Sequence, residues 1–139
     1  MEKTFHVKSI EELDKVANFL LSNFDTKLFL FKGNLGSGKT TLIKFLTKKL
    51  NAIDKAISPT FSILNVYKTI DNNELYHFDL YRIEKIDELI EIGFEDYILA
   101  GKYCFIEWAE KVEDFLENYV SITITPQKDN SRIIKIEKK

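Results

Sequence analysis

The chain alternates between the two-residue apolar period of strands and the longer period of amphipathic helices. Residues 4–8 (TFHVK) alternate as a short strand does, and apolar residues recur at helical spacing over 10–24. Residues 27–32 (KLFLFK) form a continuous apolar run, which is typical of a strand covered on both faces of an α/β sheet. Over 40–50 the apolar positions share one helical face, with lysines on the other. This part of the chain therefore predicts strand, helix, strand, helix.

The remaining pattern predicts a β-hairpin followed by further helices and strands. Strand-like runs over 61–70 and 74–81 flank Asp71-Asn72-Asn73, whose residue types favour tight turns. Residues 103–107 (YCFIE) form a second buried strand, and it ends in an acid. Helices are predicted over 84–92, where Gly93 ends the helix, and near 110–116, and the last strands are predicted over 120–125 and 132–136. We expect an α/β layer fold whose central, mostly parallel sheet is extended by the antiparallel hairpin and the C-terminal strands.

Length and composition fit one folded domain. The chain has 139 residues, of which 45% are apolar and 30% charged, and these values exclude a disordered or fibrous protein. The formal net charge is -2, so the overall balance lacks the basic excess of proteins that grip nucleic acid unaided. We therefore predict a single domain over residues 1–139.

The sequence also favours a cytoplasmic protein without membrane contact. Cys104 is the only cysteine, which excludes an internal disulfide framework and fits a reducing compartment. The N-terminal residues 1–15 (MEKTFHVKSIEELDK) contain no apolar run of signal-peptide type, and no segment approaches the length of a membrane span.

A glycine-rich segment, residues 33–40 (GNLGSGKT), lies directly between the buried strand and the helix. It matches G-x-x-x-x-G-K-[ST], the pattern of loops that bind nucleotide phosphates, in the strand–loop–helix context that this pattern requires. A phosphate chain needs backbone N–H groups aimed inward at close range, which a Cβ would obstruct. The glycines at Gly33, Gly36 and Gly38 are therefore predicted to form a phosphate-binding loop.

The start of the following helix supplies the remaining phosphate and metal groups. Its positive dipole end points at the loop, and Lys39 provides a mobile cation for the outer phosphates. The Thr40 hydroxyl can ligate Mg²⁺, and Thr41 is predicted to contact an inner phosphate.

Two carboxylates are candidates for the chemistry beyond binding. Glu107 ends the second buried strand, where phosphate-binding folds place the acid that completes the metal shell; the alternative is a solvated strand-end carboxylate. Asp79, in YHFDLYR, lies late in an aromatic-rich strand and could orient the attacking water or hold it through Mg²⁺. Its alternative role is an ion pair with Arg82.

For three other residues the sequence gives weaker indications of a functional role. Thr60, within Ser58-Pro59-Thr60-Phe61, lies where nucleotide hydrolases carry a segment that senses the outer phosphate, although an ordinary proline turn explains it equally well. His77 is predicted to be a satisfied structural histidine rather than a base. Trp108 is predicted to pack rather than take part in chemistry.

The combination of GNLGSGKTT, SPTF, YHFDLYRI and FIEWAEK, in that order, resembles the TsaE (YjeE) family of small bacterial P-loop ATPases. The resemblance covers nearly the whole chain and implies a three-layer P-loop NTPase fold. It implies that residues from Leu35 through Ser37 to Thr41 hold ATP and that Thr40 and Glu107 bind Mg²⁺. It also implies that Thr60 and Asp79 belong to nucleotide-sensing or hydrolytic segments.

The resemblance further implies a role in the threonylcarbamoyl modification of tRNA adenosine 37, together with the TsaB and TsaD proteins. Contact with tRNA is expected to be indirect, through that complex. The expected reaction is in-line attack of water on the γ-phosphate of ATP, with weak activity that partners raise. Two alternatives stay open: a nucleotide-gated assembly factor with incidental turnover, and a small P-loop kinase, for which the chain has few arginines and little length for a lid.

Overall fold

The computed structural model describes residues 1–57 and 63–139. Its strands are β1 (Glu2–Val7), β2 (Leu28–Lys32), β3 (Leu64–Lys68), β4 (Glu74–Asp79), β5 (Cys104–Glu107), β6 (Val120–Pro126) and β7 (Arg132–Lys138). Its α-helices are α1 (Leu13–Ser22), α2 (Lys39–Lys49), α3 (Asp87–Glu91) and α4 (Phe94–Leu99). Short 3₁₀ helices cover Ile10–Glu12, Ala109–Lys111 and Glu113–Phe115.

The seven strands form one sheet in the order β1-β7-β6-β2-β5-β4-β3. The four central strands β6, β2, β5 and β4 pair in parallel, whereas β1, β7 and β6 pair antiparallel, as do β3 and β4. The predicted parallel centre with antiparallel extensions is therefore confirmed. Because β2, β5 and β4 run the same way, their carboxyl ends meet at one edge of the sheet.

Helices cover both faces of this sheet and create three layers. Alternate residues of β2 explain this, because Phe29 and Phe31 face α1 and α2, whereas Leu28 and Leu30 belong to the opposite cluster. That second cluster packs against α4 through Phe94 and neighbouring residues. Both faces of β2 are buried, and this explains why its sequence is a continuous apolar run.

Several predicted element boundaries are wrong. The helix predicted over 84–92 is limited to α3, which ends before Gly93 (φ of 76°) as predicted, and the helix α4 that follows Gly93 was not predicted. The helix predicted near 110–116 is a pair of 3₁₀ turns. The first hairpin strand begins at Leu64, and the proposed start at 61 lies outside the described residues.

Within the two described ranges, the helices are all too short or too polar to cross a lipid bilayer.

Phe105 belongs to the apolar cluster that contains Phe29 and Phe31 and packs against α1 and α2, and it provides a test of this core. Its ring contacts Phe29 and Phe31, with centroids 5.9 and 6.2 Å away, and it is fully buried. We expect Phe105→Ala to lower the free energy of unfolding by about 3–5 kcal/mol, measured by urea denaturation. Phe115→Ala is the control, because Phe115 is 72% exposed, and its effect should stay within about 0.5 kcal/mol. Equal effects of the two variants would contradict this description of the core.

Candidate nucleotide-binding site

The glycine-rich loop connects the end of β2 to the start of α2 in a conformation that depends on its glycines. Gly36 and Gly38 adopt φ angles of 78° and 108°, in the left-handed region that side chains rarely tolerate. A Cβ at Gly36 would meet no atom within 4 Å, so this residue faces open space. The loop therefore presents bare backbone to a cavity, as the sequence predicted.

Gly33 has a different role from the one predicted. A Cβ there would lie 2.5 Å from Ser37 Oγ and 2.8 Å from the carbonyl oxygen of Ile124, so its absence lets the loop close on itself. Gly33 does not line the cavity, although its carbonyl accepts a hydrogen bond from Lys39. Its requirement for glycine therefore comes from packing beneath the loop.

The loop borders an open cavity of about 260 Å³ at the carboxyl edge of the sheet. The residues predicted from the phosphate-binding motif and from the two strand-end acids converge on it. Those that line it are Leu35, Gly36, Ser37, Gly38, Lys39, Thr40, Thr41, Asp79, Glu107 and Trp108. Thr60, the remaining predicted site residue, lies outside the described residues.

Glu107 is a buried carboxylate held by neighbouring donors, not a solvated strand-end group. It is 3% exposed, and its two oxygens accept hydrogen bonds from Thr40 Oγ1 at 2.9 and 3.0 Å. His77 Nε2 lies 2.6 Å from Glu107 Oε2. The parallel pairing of β2 with β5 explains this placement, because Glu107 stands beside Phe31, close to the loop.

The donor set at this point suits Mg²⁺. Thr40 and Glu107 offer a hydroxyl and a carboxylate oxygen, which are the hard ligands that Mg²⁺ binds alongside phosphate and water. Ser37 Oγ, nearby, is buried and has no hydrogen-bond partner within the described part of the chain. The residues present therefore fit a metal–phosphate group.

Lys39 brings a positive charge into a largely dry position. The residue is 5% exposed, and its ammonium donates a hydrogen bond to the Gly33 carbonyl. The ammonium also lies 3.5 Å from the centroid of the Trp108 ring, an attractive cation–π arrangement. Desolvation lowers the pKa of Lys39, while Glu107 and other nearby carboxylates raise it and partly oppose that shift.

Asp79 stands at the end of β4, beside Glu107 in the adjacent strand. Its carboxylate accepts a hydrogen bond from the backbone N–H of Tyr81 at 3.0 Å. Burial raises the pKa of Asp79, and the negative charge of Glu107 raises it further. The cavity thus contains a lysine and a carboxylate whose charged forms are both disfavoured by desolvation, a pattern found at functional sites.

Two contacts at the site were not anticipated from sequence. Trp108 lines the cavity and contacts Lys39, and its backbone has a φ of 57°, so the prediction of a packing role alone is incomplete. Arg132, at the start of β7, donates from Nε to the Ser37 carbonyl at 2.9 Å and so supports the loop from the C-terminal strands. The position of Trp108 after a strand-end acid was the available signal, whereas no local signal marks Arg132.

A second cavity of about 420 Å³ adjoins the other side of the loop. It shares Gly36, Ser37, Gly38 and Thr41 with the first cavity. Its remaining wall comes from the end of β1 and the segment that leads into α1, and from β6, β7 and the loop between them. The residues are Val7, Lys8, Ser9, Ile10, Leu13, Ile124, Asn130, Arg132 and Ile134. The loop therefore lies between a charged cavity and a mixed polar and apolar one.

Comparisons with known proteins agree with one another. A family described as "Threonylcarbamoyl adenosine biosynthesis protein TsaE" matches residues 7–134. The Rickettsia felis "tRNA threonylcarbamoyladenosine biosynthesis protein TsaE" is 34% identical, over 91% of this chain and 74% of that protein. The protein of the same name from Haemophilus influenzae is 32% identical, over 88% of this chain and 78% of that protein. The crystal structure of YdiB from Bacillus subtilis is similar with a TM-score of 0.73, at 25% identity, over 98% of this chain and 84% of that one.

Replacing Gly33 and replacing Gly36 are expected to impair different properties of the protein. Gly33→Ala should lower the free energy of unfolding by about 1–3 kcal/mol, because its Cβ meets the backbone of Ile124. Gly36→Ala should cost about 1 kcal/mol through its positive φ but weaken nucleotide binding by roughly tenfold or more, since its Cβ enters the cavity. Urea denaturation and binding of a fluorescent ATP analogue measure the two effects. Full binding by Gly36→Ala would contradict the assignment of the cavity.

The raised pKa of Asp79 predicts a stability gain on neutralisation. The folded protein binds this proton more tightly than the unfolded chain, so ionised Asp79 destabilises the fold above its raised pKa. Asp79→Asn should therefore raise the Tm at pH 7 by roughly 1–4 °C. The gain should shrink as the pH falls to the ordinary Asp range near about 4, where wild-type Asp79 is also neutral.

The exposed Asp54 supplies the matched control for this experiment. Asp54→Asn should leave the Tm unchanged across the same pH series. A gain for Asp79→Asn that does not depend on pH would contradict the electrostatic explanation.

Proposed function

The chain belongs to the TsaE family of threonylcarbamoyl adenosine biosynthesis proteins, and from this we propose that it is a Mg²⁺-dependent ATPase in tRNA threonylcarbamoyladenosine biosynthesis. The observation that carries the proposal is the hydrogen-bonded pair of Thr40 and Glu107 beside a glycine loop, in one cavity with Lys39 and Asp79. A phosphate-binding loop, a metal-binding pair and two further charged groups are the parts that nucleotide hydrolysis requires.

The two cavities together would hold a nucleotide. The phosphates would lie along the loop, where backbone N–H groups, the N-terminus of α2 and Lys39 offer positive charge. The nucleoside would occupy the second cavity, whose apolar residues Ile10 and Ile134 suit a base and whose Asn130 suits polar edges. The loop, shared by both cavities, would then bridge the nucleoside and phosphate positions.

The proposed reaction is hydrolysis of the terminal phosphate. A water oxygen attacks the γ-phosphorus in line, the bond from that phosphorus to the bridging oxygen breaks, and ADP leaves with the electron pair. Lys39 stabilises the negative charge that develops on the phosphate oxygens. Thr40 and Glu107 would hold Mg²⁺, which when bound neutralises charge on the outer phosphates. Asp79 would orient the attacking water from the end of the adjacent strand β4.

The proposed activity is weak without partners. Arg132 uses its Nε to hold the Ser37 carbonyl and supports the loop rather than offering this donor to a transition state. We expect the TsaB and TsaD proteins to complete or tighten the site, and tRNA to be reached only through that complex. The cytoplasm is the expected location of this reaction.

Phosphate release from MgATP tests the proposal, measured with the protein alone and with TsaB and TsaD. Release should rise with the partners and fall at least about 100-fold in Lys39→Ala. Lys44→Ala, which removes an exposed lysine from the same helix, should retain wild-type release.

Other outcomes of the same experiment would contradict the proposal. Equal release with and without partners would contradict partner stimulation. Labelled phosphate transferred to an acceptor would instead indicate a kinase. Nucleotide binding without release, together with a Glu107→Ala variant that still supports tRNA modification in a reconstituted system, would indicate a nucleotide-gated assembly factor.

A further inference from the structure

A buried chain of hydrogen-bonding groups leads from Glu107 across the neighbouring strands to Tyr67. His77 Nε2 is 2.6 Å from Glu107 Oε2, and His77 Nδ1 is 2.8 Å from the Tyr67 hydroxyl. The Tyr67 hydroxyl in turn lies 2.9 Å from the carbonyl oxygen of Ile57 and 3.1 Å from the Ile57 N–H. Three strands therefore contribute to one continuous path, with Tyr67 on β3, His77 on β4 and Glu107 on β5.

The three side chains of the path are shielded from water. His77 is fully buried, Glu107 is 3% exposed and Tyr67 is 6% exposed. A buried polar group without a partner is costly, so each of these groups depends on its neighbours. Removing His77 would leave Glu107 and Tyr67 with one partner fewer, and the Glu107 carboxylate would be less restrained in its orientation.

The proton positions follow from the available donors and acceptors. Burial raises the pKa of Tyr67, so its hydroxyl keeps a proton, which it donates either to His77 Nδ1 or to the Ile57 carbonyl. In the first arrangement the imidazole is neutral with its proton on Nε2, and in the second both ring nitrogens carry protons. With Glu107 ionised, His77 therefore donates from Nε2 to the carboxylate in both arrangements.

Two groups from different elements hold the Glu107 carboxylate. Thr40 Oγ1 approaches from α2, and His77 Nε2 approaches from β4. A carboxylate on a flexible side chain needs such restraint to present one orientation, and residues behind metal ligands supply it in many proteins. Thr40 itself belongs to the candidate metal site, so it cannot act only as a restraint, whereas His77 does not line the cavity.

We propose that His77, held by Tyr67, is a positioning residue that orients the Glu107 carboxylate toward Thr40 for binding the divalent ion. The proposal rests on the proposed function, because it concerns the same Mg²⁺–nucleotide site. It assigns to His77 a role beyond the satisfied structural histidine that its sequence context predicts. It also explains a conspicuous feature of the hairpin, the aromatic hydroxyl of Tyr67 directed into the interior.

The test compares ATP-analogue affinity in excess Mg²⁺ with affinity in EDTA, for wild type, His77→Leu, His77→Gln and Tyr67→Phe. We expect His77→Leu to keep its affinity in EDTA and to lose roughly 10–100-fold of the gain that Mg²⁺ provides. His77→Gln retains an N–H donor and should restore part of that gain. Tyr67→Phe should lose a smaller part, because the imidazole remains while its restraint is removed.

A second readout requires neither nucleotide nor metal. The Nε2 proton of His77 should give a protected, low-field imidazole signal in NMR spectra of wild type, and this signal should disappear or move in Glu107→Gln. Tyr76→Phe is the matched control, because Tyr76 is a buried tyrosine of the same hairpin whose hydroxyl contacts Glu74 instead. It should change neither the NMR signal nor the Mg²⁺-dependent gain.

Three results would overturn the proposal, and they differ from one another. If folded His77→Leu keeps the full Mg²⁺ gain, His77 does not position Glu107. If His77→Leu and Tyr67→Phe lose affinity equally in Mg²⁺ and in EDTA, the role of the path is general stability. If wild type shows no Mg²⁺ gain, the proposed function itself fails, even where the NMR signal confirms the hydrogen bond from His77.

Discussion

Glu107 is a carboxylate placed at the nearly dry end of a central strand, and such a charge is tolerated only where nearby donors satisfy it. The donors come from Thr40 at the start of α2 and from His77 in the adjacent strand. Both contacts depend on the parallel register in which Phe31, Glu107 and Asp79 stand side by side at the ends of β2, β5 and β4. The sheet register, the glycine loop and the candidate metal site therefore meet at one point, where a buried acid faces the first turn of α2.

The same arrangement disfavours the charged forms of Lys39 and Asp79, and a bound charged ligand can offset this electrostatic cost. Desolvation lowers the pKa of Lys39 and raises that of Asp79, so the charged form of each residue is disfavoured by its environment. The Gly33 carbonyl and the Trp108 ring offset part of the cost for Lys39. Phosphate oxygens would supply a stronger partner for this ammonium, and a divalent ion would do the same for the carboxylates. Preorganised charge of this kind costs stability in the free protein and is useful only toward a charged ligand.

The features that the sequence predicts correctly are those encoded by neighbouring residues. The continuous apolar run of β2, the glycine spacing and the amphipathic start of α2 are local, and they place Lys39 and Thr40 without knowledge of the rest of the chain. Features formed by distant contacts were missed. The hydrogen bond from Arg132 to Ser37 joins positions 95 residues apart, and the path from Tyr67 through His77 depends on cross-strand register. The helix α4 was also missed, because the glycine that ends α3 is followed at once by a second short helix.

The central claim is that Thr40 and Glu107 form one metal-binding position beside the glycine loop. The most direct measurement is a crystal structure of the protein with a non-hydrolysable ATP analogue and Mn²⁺, in which anomalous scattering locates the ion without reference to any assumed chemistry. We expect one strong anomalous peak in contact with Thr40 Oγ1 and a phosphate oxygen, with the Glu107 carboxylate bound to the ion directly or through one water. A peak held by Asp79 alone, or an analogue bound with Glu107 turned away from the ion, would contradict it.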